Sequence, residues 1–379
     1  MAQNQERVVT PEMETFTSDI QEKQAKGVKF YTKENIQRIA EQLDKYKTGD
    51  LADDKFKVPN LKGEEVEITL DLDEPTVWVD SRCDHGDRRG GPYLYYRSAQ
   101  AMAEYLDMEP FNLQQAYLPI VPLLPRTNGH GCCGRKGKKR AVINPDPTLS
   151  AMEVNQEFNV VRQRWEGSDS FARLKTVFKA NKPLLTNVTK IVAFACGQLA
   201  TGPGICSFSA NQHALALSLQ TLISKAKATK FGFSGVLQTV QKSLKRKKGG
   251  HCTPTTVPCF AQDPAYMTID KQILEGLGFT IVDDPRGFLE VDDDSVVIFL
   301  TPNTPIQQVV FDLARPAAVF QEWLRADVNG PEAKYCPNPT SARVQKILDN
   351  EYTIVYSSWR HHLRDGELYI RKNLLNKRE

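Results

Sequence analysis

Apolar positions near the amino terminus recur at helical spacing. Thr32 precedes Lys33-Glu34-Asn35 as an N-cap would, and Ile36, Ile39 and Leu43 then share one face, which predicts an amphipathic helix within a helical stretch over residues 10–46. A polar stretch over 47–59 ends it. Residues 66–70 and 76–79 alternate as two short strands would, and a glycine-rich loop over 82–92 follows. Residues 99–106 read as another helix. The run Leu118-Pro119-Ile120-Val121-Pro122 is extended, because each proline pushes its predecessor out of the helical region, and 126–150 reads as a linker.

The second half is more regular. Phe171, Leu174, Val177 and Phe178 lie on one helical face, and Lys190-Ile191-Val192-Ala193-Phe194-Ala195-Cys196 is a nearly unbroken apolar run ending in glycine, the mark of a strand buried on both sides. After the loop over 197–208, Ser209 is a candidate N-cap for an apolar helix over 210–224. Strands over 257–261, 279–282 and 295–300, with a helix over 268–277 closed by Gly278, complete an alternation of strand and helix. The expected fold class is α/β, a Rossmann-like doubly wound and mostly parallel sheet. An α+β amino-terminal extension with a basic linker is expected over 1–150, and the α/β domain over 151–379, interrupted by a basic insertion over 225–256.

Composition narrows the class without naming a function. The 379 residues are 40% hydrophobic and 25% charged, which excludes a collagen, a coiled coil and wholesale disorder. The most apolar stretch, residues 117–125, carries two internal prolines and is far shorter than the roughly 20 residues that cross a bilayer. The start of the chain lacks an apolar secretory segment, and eight scattered cysteines fit reduced thiols better than a disulfide framework. A cytoplasmic or nuclear protein without a membrane segment is therefore expected. The formal charge of +3 hides an uneven distribution, since 126–140 holds six basic residues and 225–248 holds eight, with no acidic residue in either window. Without those fourteen, 35 basic residues face 46 acidic ones, a formal −11.

The chemistry centres on the loop Cys196-Gly197-Gln198-Leu199-Ala200-Thr201-Gly202-Pro203-Gly204. It lies where a doubly wound fold holds its ligand, between the carboxyl end of a strand and the amino end of a helix. Its glycines are too widely spaced for the dinucleotide fingerprint, Pro203 removes an amide donor, and no Gly-Lys-Ser follows. Asp263, after the second strand, stands where nucleotide- and methyl-donor-binding folds place the carboxylate that accepts from ribose hydroxyls. Equally, Gly197 and Gly202 serve tight turns and Asp263 caps the helix near Met267. A third rim loop brings Thr301, Pro302 and Asn303. The candidate ligand cleft thus comprises Gly197, Gln198, Gly202, Asp263, Pro264, Thr301, Pro302 and Asn303, with no cofactor assigned; if Asp263 serves a ligand, its loss should cost the fold little.

Other clusters are weaker. Cys83-Asp84-His85 with His130-Gly131-Cys132-Cys133, and His251-Cys252 with Cys259, contain zinc-ligand residue types, but no Cys-x-x-Cys spacing, and surface thiols are the preferred reading. His213, in an almost wholly apolar helix, is expected to be a hydrogen-bonded core histidine. Asp292-Asp293-Asp294 is expected to cap a turn before a strand. No hydrolase or zinc-peptidase motif is present. The basic segments, 126–140 and 225–248, are candidate nucleic-acid or nuclear-import patches, with solvated surface as the alternative.

Five ordered blocks carry a family resemblance: Trp165-Glu166-Gly167-Ser168 with Phe171; Ile191-Val192-Ala193-Phe194 with Gly197; Gln212-His213-Ala214-Leu215-Ala216-Leu217; Asp263-Pro264-Ala265-Tyr266-Met267-Thr268 with Leu277-Gly278-Phe279; and Phe299-Leu300-Thr301-Pro302. Over about residues 165–320 the chain resembles the SRR-like domain, named for sensitivity to red light reduced. The chain departs from the family pattern at Ala195-Cys196-Gly197-Gln198, where Gly-Leu-Gly-Ser is usual, and at Pro302-Asn303-Thr304, where Pro-His-Cys is usual. The insertion over 225–256 is also long. The resemblance implies a regulatory protein of a family linked to circadian, light or stress signalling, to cytoskeletal organisation and to haem metabolism, without an agreed catalytic activity. The expectation is a regulatory, non-catalytic protein with a small-ligand cleft and protein partners; the alternative is an S-adenosylmethionine- or nucleotide-dependent transferase.

Overall fold

The computed structural model describes residues 9–51, 55–70, 92–103, 112–123, 148–201, 204–230, 256–322, 336–359 and 363–375. Two capped helices, α1 (Pro11–Ala25) and α2 (Lys33–Thr48), come first, with Thr10 and Thr32 accepting from the amides of Met13 and Asn35. An antiparallel hairpin of β1 (Lys55–Pro59) and β2 (Glu65–Thr69) follows. Strand β1 corrects the polar reading of residues 47–59. Lys55 and Lys57 alternate there with buried Phe56 and Val58, so the charged residues are the outward half of a half-buried strand. The strand expected at 76–79 and the glycine-rich loop lie outside the described residues. The amino-terminal half continues through β3 (Tyr93–Tyr96), α3 (Ala99–Ala103), α4 (Leu113–Ala116) and β4 (Ile120–Leu123), with β3 and β4 paired antiparallel.

The second half opens with α5 (Ala151–Glu166), α6 (Asp169–Ala180) and α7 (Lys182–Asn187), and then β5 (Lys190–Phe194). A two-residue hairpin, β6 (Ala200–Thr201) with β7 (Gly204–Ile205), precedes α8 (Ser207–Lys230). That helix starts before the expected cap at Ser209 and runs past residue 224, so Lys225, Lys227 and Lys230 are helical. The remainder alternates as β8 (Cys259–Gln262), α9 (Thr268–Gly276), β9 (Thr280–Ile281), α10 (Arg286–Leu289), β10 (Ser295–Phe299), α11 (Ile306–Leu313) and β11 (Ala318–Glu322). Helix α12 (Ala342–Glu351) and the antiparallel hairpin β12 (Tyr352–Trp359) and β13 (Arg364–Arg371) close the chain.

Seven strands form the central sheet in the order β12-β13-β11-β10-β5-β8-β9. The five from β11 to β9 run parallel, and β13 joins β11 antiparallel. The protein is thus an α/β fold with a Rossmann-like sheet. In chain order the parallel strands read 3-2-1-4-5 across the sheet, so the order reverses between β5 and β10, the place where such sheets open a crevice.

Alternation along each strand divides the core in two. Ile191, Ala193, Val296 and Ile298 face α5, α6, α8 and α9, while Val192, Phe194, Val297 and Phe299 face α10, α11 and α12 together with the whole described amino-terminal half. All eight are fully buried, and each side chain of this size contributes about 1.5–3 kcal/mol through burial, less for Ala193. Polar bonds lock the amino-terminal half in place. The Asp312 carboxylate accepts from the amides of Phe30 (2.8 Å) and Tyr31 (3.1 Å), and Gln308 accepts from the Ala99 amide while donating to Gln100.

Candidate functional site

The carboxyl end of β5 makes a sharp exit. Ala195 takes a left-handed conformation at φ 51° and Gly197 another at φ 79°. A side chain at Gly197 would be strained, and its Cβ would lie 2.5 Å from Ser209 Oγ, so only glycine lets this loop pass the start of α8. The sequence reading of Gly197 as a turn residue therefore describes its conformation.

Asp263 does not cap a helix. Its Oδ2 accepts from the Gly197 amide (2.7 Å) and its Oδ1 from the Ala265 amide (2.8 Å), so it latches the loop after β5 to the loop after β8. Gln198 adds a second link by donating through Nε2 to the Ala265 carbonyl at 2.7 Å. The capping role near Met267 belongs to Asp270, which sequence reading missed: it accepts from Met267 with one oxygen and from Leu199 and Ala200 with the other. Burial raises its pKa, against three amide hydrogen bonds that favour the anion. An acidic residue in the first turn of α9 was the available signal.

His213 lies under this latch. Its Nδ1 is 2.7 Å from the Ser209 carbonyl, which can only accept, so Nδ1 carries the proton and Nε2 accepts from the Tyr266 hydroxyl at 2.8 Å. Burial lowers its pKa to about 4 and keeps the ring neutral. The expectation of a bonded core histidine fits this geometry. Cys196 and Cys259 are buried free thiols whose pKa values burial raises, which leaves them poor nucleophiles.

The predicted cleft residues fall into two groups. Gly197, Gln198 and Asp263 are joined by the bonds above, with Pro264 exposed between them. Thr301, buried Pro302 and exposed Asn303 follow the adjacent strand β10 and share no hydrogen bond with the first group. Gly202 lies outside the described residues, as do Cys83, His85, His130, Cys132, Cys133, His251, Cys252, the segment 126–140 and residues 231–248. Among the described residues no group of three or more His, Cys, Asp or Glu is placed to hold a metal ion, and no helix is long and apolar enough to cross a membrane.

Two further glutamines flank the reversal point. Gln212, in the second turn of α8, donates to the Cys196 carbonyl; Gln307, in the first turn of α11, donates to Gln321, and its amide is capped by Asn338. Both side chains are buried, and Gln212 Oε1 and Gln307 Oε1 accept no hydrogen bond among the described residues. A third, Gln262 at the end of β8, accepts from the Gly287 amide and donates to Asp284, which also accepts from the Tyr96 hydroxyl at 2.6 Å. Tyr96 thereby brings the amino-terminal half to the end of β8. No motif marks these glutamines in sequence; their meaning depends on which strand ends the topology places side by side.

The family model of the SRR1 domain matches residues 174–353. Those residues belong to the SRR1 domain family. The matched segment runs from α6 into the start of β12 and contains all five parallel strands and every predicted cleft residue. It leaves out the amino-terminal half and nearly all of the β12–β13 hairpin, and it reaches past residue 320, where the sequence resemblance ended. No curated protein and no solved structure matches the chain.

Proposed function

We propose that this protein is regulatory and non-catalytic, and that its SRR1 domain holds a small ligand in the crevice between the carboxyl ends of β5 and β10. The observation that carries this reading is a contrast in bonding at that rim. The titratable groups a reaction would use are engaged internally, Asp263 and Asp270 by backbone amides and His213 by Ser209 and Tyr266. Two buried amide oxygens, on Gln212 and Gln307, instead lack a donor among the described residues. A ligand bearing N–H or O–H groups suits such acceptors, because an unpaired buried acceptor is costly. Gly197, Gln198, Thr301, Pro302 and Asn303 would form the mouth, with Asp263 and Pro264 shaping the loops behind it.

The transferase reading draws on the 3-2-1-4-5 strand order, which nucleotide-binding folds share. Against it, an Asp263 that binds ribose would have to do so beside two amides it already serves. Calorimetry with S-adenosylmethionine, NAD and ATP separates the readings. The regulatory reading expects saturable heat from one of them and recovery of that compound unchanged; conversion to product would establish the transferase, and no heat from any would remove a nucleotide from the crevice. We further place the domain boundary near residue 150, the protein in the cytoplasm or nucleus, and protein or nucleic-acid contacts on the segments 126–140 and 225–248. Nucleic-acid binding there would weaken steeply with salt.

A further inference from the structure

At the opposite end of the sheet, where α11 ends and β11 begins, lies a cavity of about 250 Å³. Arg315 and Glu351 line one side, Gly27 from the turn after α1 forms a lip, and Arg343, Lys346 and Asn350 contribute a stripe of α12 at helical spacing. None of these lining residues belongs to the crevice above or to its loops.

The charges are arranged unevenly. Asp312 is fully buried and, besides its two amide bonds, pairs with Arg343, whose side chain is only 13% exposed. That pair fixes the guanidinium through one Nη and leaves its other N–H groups without a partner among the described residues. Arg315 holds Glu351 through Nε and the terminal carbonyls of α11 through Nη1. The ammonium of Lys346 and the amide of Asn350, both exposed, have no hydrogen-bond or ionic partner among the described residues. Two guanidinium groups are therefore balanced from behind while their remaining donors, one uncompensated ammonium and one amide face the same space.

Rigid guanidinium forks with a nearby ammonium match a tetrahedral oxyanion, whose several acceptor oxygens can each take a charge-assisted bond. We propose that this cavity binds the phosphate group of a small phosphate monoester. Arg343 is the anchor, because Asp312 pre-organises it, and Lys346 supplies the net positive charge.

The test is calorimetry on the full chain with inorganic phosphate and with glycerol 3-phosphate, using acetate at matched ionic strength as the control. Heat is the better readout than melting temperature, since phosphate salts stabilise folded proteins by exclusion alone. Saturable binding with a dissociation constant on the order of 1 mM or tighter is expected for both phosphates and not for acetate. Lys346→Glu should weaken it about tenfold or more, the effect of losing one charge-assisted bond and adding repulsion, without altering the unliganded protein's unfolding midpoint. Arg343→Lys, which keeps the charge on Asp312 balanced, should also weaken binding. No saturable heat from either phosphate, equal binding of acetate, or unchanged affinity in Lys346→Glu overturns the proposal.

Discussion

One face of the central sheet is covered by helices that are neighbours of its strands in sequence, and the other by such helices together with chain that arrives from far away. On the first face α5, α6, α8 and α9 bury apolar side chains against Ile191, Ala193, Val296 and Ile298, and polar links such as Gln220 to the Val257 carbonyl span 37 residues. On the second face Phe30 and Tyr31 reach Asp312 across 282 and 281 residues, Ala99 reaches Gln308 across 209, and Tyr96 reaches Asp284 across 188. Apolar burial is non-directional, so it drives association without fixing which surface meets which. The buried polar anchors supply direction where sequence proximity does not.

The largest expected effect tests this difference. Asp312→Ala removes the acceptor of two buried amides and leaves Arg343 with its charge unpaired, which should lower the urea unfolding free energy by about 3–5 kcal/mol. Gln220→Ala, the counterpart on the first face, removes one neutral hydrogen bond and should cost about 1–2 kcal/mol. Equal costs would mean that Asp312 does not pin the second face.

A pH titration probes the first face at His213. Its pKa is about 4 in the fold against an ordinary 6.5, because burial disfavours the imidazolium. The unfolded chain therefore takes up a proton near pH 6.5 and the folded chain not until about pH 4. Above pH 6.5 this residue leaves stability unchanged; between 6.5 and 4 it lowers it progressively, by about 3 kcal/mol in all, and below that range its effect is constant. The pH dependence of the wild-type unfolding midpoint over that window should be steeper than that of His213→Gln. Identical slopes would show that the ring is not held neutral by the core.

These two faces also differ in what the sequence discloses. Four of the five parallel strands, β5, β8, β9 and β10, and helix α8 were legible because both-sided burial leaves apolar runs, as in Ile191 to Phe194, and because the intervening helices keep their period. Strand β1 was not, since its lysines read as loop until Phe56 and Val58 are known to point inward. The elements after residue 302 carried no distinctive signal, and β12 and β13 join the sheet antiparallel, outside the strand–helix alternation. For the site, the position of the rim and the glycine turn at 197 could be read, whereas the duties of Asp263 and Asp270 could not. Both are aspartates near the start of α9, and which one caps it depends on the path of the loop after β5, which one-dimensional pattern does not contain.

That exchange of roles gives an effect smaller than that of Asp312→Ala and the sharpest test of the rim. If Asp263 were held ready for a ligand, replacing it would leave the fold nearly untouched. Because it accepts instead from Gly197 and Ala265, Asp263→Ala should cost about 1–3 kcal/mol, the range for leaving buried or partly buried amides without an acceptor. Asp263→Asn, which keeps one acceptor oxygen, should cost less. The loss should be local: amide exchange should quicken at Gly197 and Ala265 while the Phe30 and Tyr31 amides on the far face stay protected by Asp312. A variant with unchanged stability would instead return Asp263 to the set of groups available to a ligand.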